Sequence, residues 1–270
     1  MSTVSDLASG ALGVLRRDWN VFTAYKGRVV MHIMSMIFTL TGFYFVSRLV
    51  SVGSFRSPDD YFAFVVGGLV ILQMVTSTLH TPPMMVQSEL YTGTFERLAI
   101  SPLGPVASIC FMMLFPFFYS LISAIVMLTL ASLMFGLPVQ WSTAGLGIPV
   151  AALGALAFSS FGVVMTGVVL LFKQATVGTT WLIALISLTA GLYFPVSLLP
   201  GWVQWTSDVQ PFTPAVDLLR RVLTGTPLAD PAWLDVLKLV GFAVVLLPLA
   251  VWLLTSITRV SRTKGTILEY

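Results

Sequence analysis

Charge is what this sequence has least of. Only 9% of its 270 residues are Asp, Glu, Lys or Arg, where a soluble domain carries about a quarter. Hydrophobic residues make up 57%, and the mean hydropathy is +0.93. A large soluble domain is excluded, because almost every stretch of about 30 residues contains an apolar run able to span a bilayer. There is one cysteine, Cys110, inside such a run, so no disulfide framework is available. No G-x-x-x-x-G-K-[ST] is present, which removes nucleotide binding through a P-loop. H-E-x-x-H, C-x-x-C and G-x-S-x-G are also missing, and with them the usual zinc, redox and serine-hydrolase cues. No metal site and no nucleic-acid partner are expected. The two histidines, His32 and His80, stand near the ends of apolar runs and read as interfacial residues. No Asp or Glu falls in the middle of a run, so an intramembrane ion relay has no carrier. Uphill movement of a solute would need energy from another chain.

What is present is apolar length. Six runs qualify as spans: Val29–Val50, Tyr61–Leu79, Val106–Phe135, Ala144–Phe172, Val177–Phe194 and Val236–Ile257. The expected fold is an all-α integral membrane protein with six transmembrane helices over residues 29–258. The third and fourth runs exceed one perpendicular crossing, and Pro116 is a candidate kink in the third. With six spans, nine Lys and Arg residues fall on one side: Arg16, Arg17, Lys26, Arg28, Arg97, Lys173, Arg259, Arg262 and Lys264. Five fall on the other: Arg48, Arg56, Arg220, Arg221 and Lys238. The positive-inside rule then puts both termini, including the tail 259–270, in the cytoplasm.

Residues 1–28 contain Asp6, Arg16, Arg17 and Asp18 and no clean apolar core, so they are not expected to be a secretory signal. Apolar residues recur at Val4, Leu7, Ala8, Ala11, Leu12, Leu15, Trp19 and Phe22, which is helical spacing. The expectation is an amphipathic helix on the cytoplasmic leaflet, in contact with membrane lipid. Arg16 and Arg17 lie on its polar side, and Trp19 and Tyr25 sit at headgroup depth.

Residues 195–223 combine Pro195, Pro200, Pro211 and Pro214 with Leu198, Leu199, Trp202, Trp205 and Phe212. The prolines forbid one continuous helix, yet the segment is too apolar for a solvated loop. It is expected to form broken, re-entrant pieces in the outer leaflet, followed by a short amphipathic helix over Pro214–Leu223. On that helix Asp217 is in reach of Arg220 and Arg221. Phe194, Pro195, Leu199, Pro200 and Trp202 are its candidate gate residues.

The most polar connection is "SELYTGTFERLAISPL", residues 88–103. Read as one helix over 86–102, it has an apolar stripe of Val86, Leu90, Tyr91, Phe95 and Leu98. A second stripe holds Glu89, Thr92, Gly93 and Glu96. Two carboxylates flank a residue without a side chain, which permits close backbone approach. Pro102 stops the helix. This surface suits the docking of a soluble partner.

The stretch resembles the coupling helix of ABC-2-type transporter permeases, whose pattern is near E-x-x-x-G-T-x-E-x-L-x-x-[ST]-P-L. Glu89, Gly93, Thr94, Glu96, Leu98, Ser101, Pro102 and Leu103 match it. "LRRDWNVFTAYKGRVV" is similar to the basic N-terminal helix of that family. "GLYFPVSLLPGWVQWTSDVQPFTPAVDLLRRVLTG" is similar to its late broken element. The resemblance implies a permease with no catalytic residue or cofactor of its own, driven by a separate ATP-binding-cassette ATPase that holds ATP and Mg. It implies two permease copies, a homodimer being expected, and export across the plasma (inner) membrane of a prokaryote. Glu89, Gly93, Thr94, Glu96, Arg97, Leu98 and Pro102 would couple to the ATPase. The path between copies is expected to involve Phe38, Phe45, Leu72, Met74 and Leu188, which favours hydrophobic or amphipathic cargo such as drugs or lipids. "TAYKGRVV" departs from the R-Y-K-x-x-x-L-G-like run of many polysaccharide exporters, so a lipid-linked glycan is the alternative cargo. A membrane enzyme using His32 or His80, and a purely structural subunit, are the readings from other classes.

Overall fold

The computed structural model describes residues 4–49, 55, 57–95, 104–174, 176–225 and 231–263. Among them there are only helices and their connections, with no strand. The helices are α1 (Val4–Ala24), α2 (Lys26–Leu49), α3 (Pro58–Val75), α4 (Thr81–Tyr91), α5 (Gly104–Met112) and α6 (Leu114–Phe135). They continue with α7 (Trp141–Phe172), α8 (Thr176–Thr189), α9 (Gly201–Asp208), α10 (Phe212–Thr224) and α11 (Ala232–Thr263). The end of the bundle that carries α1 and the start of α5 is called proximal below; the opposite end is distal.

Five helical units are long and apolar enough to cross a membrane: Lys26–Leu49, Pro58–Tyr91, Gly104–Phe135, Ser142–Phe172 and Ala232–Val260. The expected fifth span, Val177–Phe194, differs. Its helix α8 has 14 residues and ends at Thr189, a length of about 21 Å against a hydrocarbon core of about 30 Å. The cause is local. Gly191 adopts φ +69°, and Pro195 follows in an extended conformation. The N-terminal helix is also shorter than residues 1–28. Thr23 and Ala24 close it, and Lys26 and Arg28 belong to the first turn of α2.

The second span is continuous from Pro58 to Tyr91. Ser57 caps its start, its side chain accepting the Asp60 N–H at 3.1 Å. Pro82 and Pro83 lie inside the span and have no N–H to give to Thr78 and Leu79. The helix answers with a π segment over Thr76–His80, which joins α3 to α4 without a break. The carbonyl of Thr78, unserved by Pro82, lies against α7 at Gly162. A Cβ on Gly162 would stand 2.2 Å from that oxygen. The kink expected at Pro116 falls at Met113, three residues earlier, where α5 and α6 meet.

α7 is the central helix. α11 runs parallel to its second half, with Gly167 facing Leu254 and Ile257. α10 runs antiparallel to its first half: Phe212 stacks on Phe158 at 4.7 Å, and the Leu223 carbonyl accepts the Gln140 N–H at 2.8 Å. Two buried clusters result. The larger, distal one joins α2, α3, α6, α7 and α10 around Leu40, Val66, Ile71, Phe158 and Phe212. The smaller, proximal one joins α4, α5, α7 and α11 around Val86, Phe95, Ile109, Val169 and Leu254. Buried hydroxyls at Thr78, Ser159, Thr166 and Thr258 bond back to carbonyls of their own helices, so they leave no polar debt in the core.

Candidate functional site

The proximal corner is built where α4 ends. The Thr94 N–H donates to the Glu89 carbonyl at 3.0 Å, and the Gly93 N–H donates to the Leu90 carbonyl at 3.2 Å. This double closure is a Schellman motif, which requires a left-handed residue; Gly93 supplies it at φ +68°. The continuous helix expected over 86–102 is therefore corrected. The chain turns at Thr92–Gly93, and Gly93 is the residue that ends a helix rather than a gap on its face. Phe95 folds back under the turn and is buried with Val86 and Leu90. Glu96, Arg97, Leu98 and Pro102 lie outside the described residues.

Three elements meet at this turn. The Thr94 hydroxyl donates to a Glu89 carboxylate oxygen. The other Glu89 oxygen is 3.9 Å from Arg17 of α1, whose Nε binds Asp18 at 2.9 Å. On the opposite side Gln87 donates to the Tyr91 hydroxyl at 3.1 Å and to the Lys173 carbonyl at 3.0 Å. Lys173 ends α7 with φ +58°. The corner thus ties α1, the 89–95 turn and the α7–α8 connection together. Asp18 is buried, and among the described residues one of its carboxylate oxygens has no hydrogen-bond partner. Burial pushes its carboxyl above the usual range; Arg17 pulls it down, and Glu89 adds a smaller upward push. Asp18, Gln87 and Lys173 were not singled out from the sequence. Asp18 had one available signal: it sits among the apolar positions Val14, Leu15, Trp19 and Phe22 of α1.

α1 packs through Phe22, whose ring lies 5.6 Å from Phe115 and 5.2 Å from Tyr119. It leaves Leu12, Trp19 and Val21 exposed, with Tyr25 just beyond its end. Arg16 is exposed, and Arg17 is half-exposed. Apolar exposure beside cations is the composition of an interfacial helix.

The distal site is organised by Arg220 of α10, the most deeply buried cation among the described residues, at 4% exposure. Its Nη2 donates to the Gly191 carbonyl at 2.9 Å and the Leu192 carbonyl at 3.0 Å, and its Nε donates to the Phe64 carbonyl at 3.0 Å. The guanidinium also lies 3.4 Å from the Phe64 ring centre, with Asp217 at 3.9 Å. The side chain needs Gly67, where a Cβ would come within 2.7 Å of it. Gly68 lets the Leu192 carbonyl approach so closely that a Cβ would stand 1.9 Å from the oxygen. Arg220 therefore clamps the broken chain after α8 onto α3. One residue further on, Tyr193 stacks on Phe43 of α2 at 5.4 Å and 10°. Sequence reasoning placed Arg220 on a short amphipathic helix within reach of Asp217, without its backbone partners. The paired glycines in an otherwise bulky α3 were the signal of something large packed there.

The expected gate residues differ in exposure. Phe194, Pro195 and Leu199 are half-buried, and Pro200 is exposed. Trp202 is 78% exposed. Of the expected path residues, Phe38, Phe45 and Leu188 are exposed, and Leu72 is half-buried. Met74 is corrected: it is fully buried in the distal core on the inner face of α3 and lines no open surface. The histidines serve as helix contacts. His32 Nε2 lies 3.4 Å from Gln73 Nε2, and His80 Nδ1 lies 2.9 Å from the Thr179 hydroxyl. Among the described residues no group of three or more His, Cys, Asp or Glu is placed to hold a metal.

Five helical units able to cross a membrane, with a helix-ending turn exposed at one end and a clamped chain break at the other, make this a polytopic helical membrane protein. The chain belongs to the ABC-2 type transporter family, whose model matches residues 13–224. It is 33% identical over 91 residues to Nodulation protein J of Rhizobium leguminosarum bv. trifolii, covering 34% of this chain and 35% of that protein. It is 30% identical over 89 residues to Nodulation protein J of Rhizobium meliloti (strain 1021), covering 33% and 34% respectively. The chain matches about a third of the length of these curated relatives. The chain is therefore an integral membrane protein of that family.

Proposed function

We propose that this chain is the permease of an ATP-driven exporter and moves a hydrophobic or amphipathic cargo out of the cytoplasm or inner leaflet. The observation that carries the coupling part of this reading is the proximal corner. The last turn of α4, which leads into the 89–95 turn, is held from two sides, by Arg17 of α1 at Glu89 and by the Lys173 carbonyl at Gln87. A push on the exposed turn is therefore passed to α1 and to the α7–α8 connection together. The partner ATPase, holding ATP and Mg, docks there, with Glu89, Gly93 and Thr94 at the contact and residues 96–102 beyond them. Both termini are cytoplasmic in this reading. α8 and the irregular chain after it make a sixth crossing, and α9 and α10 form a re-entrant hairpin on the outward side. That hairpin is supported by Phe212 stacking against Phe158 near the middle of α7 and by chain breaks at Gly191 and Pro195, which are tolerated at membrane depth only when protein covers them. Two permease copies enclose the path, with α2 and its Phe38 and Phe45 toward it, and Tyr193 on Phe43 as the outward closure.

The test is co-purification of the chain with a candidate ATP-binding-cassette ATPase, reconstitution in vesicles, and measurement of amphiphile-stimulated ATP hydrolysis and cargo movement. Stimulation by the wild-type chain that is lost in Gly93→Trp supports the reading. Full ATP-driven export by Gly93→Trp sinks the docking geometry. Absence of any stimulation by a panel of amphiphiles sinks export itself.

A further inference from the structure

The distal half of the bundle contains an apolar cavity of about 260 Å³ between α3, α6, the start of α7 and α10. It exists because small residues, Ala124, Gly145, Gly147 and Ala151, face one another where bulky side chains would fill the space. Its inner wall includes Val70, Leu219 and Leu223. The single hydroxyl in the lining, that of Thr129, donates to the Ile125 carbonyl at 2.8 Å. A water inside finds no set of polar partners, and apolar cavities of this kind stay dry. The cavity is larger than the roughly 150 Å³ apolar cavity that accepts a benzene ring. Ile125 and Ile148 of the lining are half-exposed, at 51% and 54%, so the hollow is continuous with the outer apolar surface of two membrane-crossing helices.

We propose that this cavity binds one hydrocarbon chain of a membrane lipid, and that the bound chain supports α10 on either side of Arg220. The location selects the occupant. The mouth lies on helices that cross the bilayer, where the surrounding medium is lipid hydrocarbon. A flexible linear chain enters a lateral hollow that a second helical subunit, with its ridged but convex face, leaves unfilled. The barest span is α2, with only 11% of its apolar window buried, and its open face is the more suitable seat for a helical partner. Leu219 and Leu223 flank Arg220 in sequence, so a chain lying against them fills the space beside the α10 turn that carries the clamp. Lipid occupancy is thereby linked to the clamp on Gly191 and Leu192. The proposal does not depend on the transport reading.

The test uses the purified full chain in nanodiscs of synthetic phosphatidylcholine, with neither cargo nor ATPase. Native mass spectrometry counts the lipids retained, and thermal unfolding is compared between straight-chain and methyl-branched lipids of equal length. The wild type is expected to hold one lipid at least tenfold more tightly than Ala124→Leu or Ala151→Leu, and to unfold at a higher temperature in straight chains. The filled variants are expected to unfold alike in both lipids. If they do not fold, Leu219→Ala replaces them: the enlarged cavity admits the branched chain and removes the difference. Equal retention in wild type and filled variants overturns the proposal, as does a straight-versus-branched difference that survives cavity filling or Leu219→Ala. Occupancy appearing only when dodecyl maltoside is added assigns the cavity to cargo tails and also overturns it. So does a dimer that dissociates when the cavity is filled.

Discussion

Arg220 Nη2 lies 3.0 Å from the carbonyl oxygen of Leu192, across 28 residues of chain, while Nε of the same guanidinium holds the carbonyl of Phe64 on α3. One planar, multi-donor group thus joins two backbone segments that no ladder or helix connects. Lysine cannot reproduce this, because its point charge has no fork. Arg220→Met leaves three carbonyls without their donor in a dry interior. The expected cost is about 3–5 kcal/mol, the range for breaking a buried charged network, and Arg220→Lys recovers only part of it. Thermal unfolding in nanodiscs checks the order wild type, Lys, Met. Equal stability of Lys and wild type would mean that the fork geometry is unimportant.

Two glycines mark places where a helix meets another segment backbone to backbone. Gly68→Ala puts a methyl 1.9 Å from the Leu192 oxygen, and Gly162→Ala puts one 2.2 Å from the Thr78 oxygen. Neither oxygen is at the end of a flexible side chain, so both variants are expected to lose several kcal/mol and fold poorly. Gly42→Ala and Gly145→Ala meet open space in this chain and, being helical, are expected to be neutral or to gain up to about 1 kcal/mol. Folded yield by size-exclusion chromatography separates the two pairs.

At Gly93 strain and access separate. A Cβ there meets nothing within 4 Å, but the φ of +68° disfavours any side chain. Gly93→Ala should cost about 1 kcal/mol, and Gly93→Asn less, since asparagine tolerates this conformation. Co-purification with the ATPase should survive both and be lost in Gly93→Trp, whose ring covers the turn. Loss of binding in Gly93→Asn as well would point to the turn conformation rather than to access.

Asp18 gives the proximal corner a pH dependence. Its folded-state pKa is raised, chiefly by burial. The stability it contributes is fully present below its unfolded pKa and is lost as pH rises through the folded one. Asp18→Asn removes that loss. Thermal midpoints measured from pH 4 to pH 8 should show the variant gaining on the wild type as pH rises. A parallel pair of curves would mean that Arg17 compensates the buried charge in full.

Much of this architecture was legible in the residues. Apolar runs exposed the long helices because hydrocarbon length is a simple filter, and the prolines around 195–214 exposed the broken segment. The N-terminal amphipathic pattern emerged as α1. What stayed hidden depended on contacts distant in sequence. Residues 86–102 read as one helix because the pattern alone does not reveal that Gly93 takes a left-handed φ while Phe95 tucks under Leu90. Val177–Phe194 read as a full span because hydropathy does not register the turn at Gly191. Met74 read as a path residue because periodicity identifies the stripes of a helix without telling which stripe faces the core. Arg220 read only as a partner of Asp217 on an amphipathic helix, because its three acceptors are main-chain carbonyls, which carry no sequence signature.

The π segment at Thr76–His80 has a consequence for phase. An α-helix rotates about 100° per residue, and a π segment carries one residue more per turn than the α ladder accommodates. The faces of the second span before and after it are therefore offset by about one residue's rotation. Gly67 and Gly68 receive Arg220 and Leu192 on the distal part, while Gln87 and Glu89 meet Lys173 and Arg17 on the proximal part. Each half keeps its own azimuth. Deleting a single residue from this segment would leave an unbroken, equally apolar helix, yet twist the distal and proximal contacts out of alignment. The bulge acts as an angular coupling between two ends of one shaft.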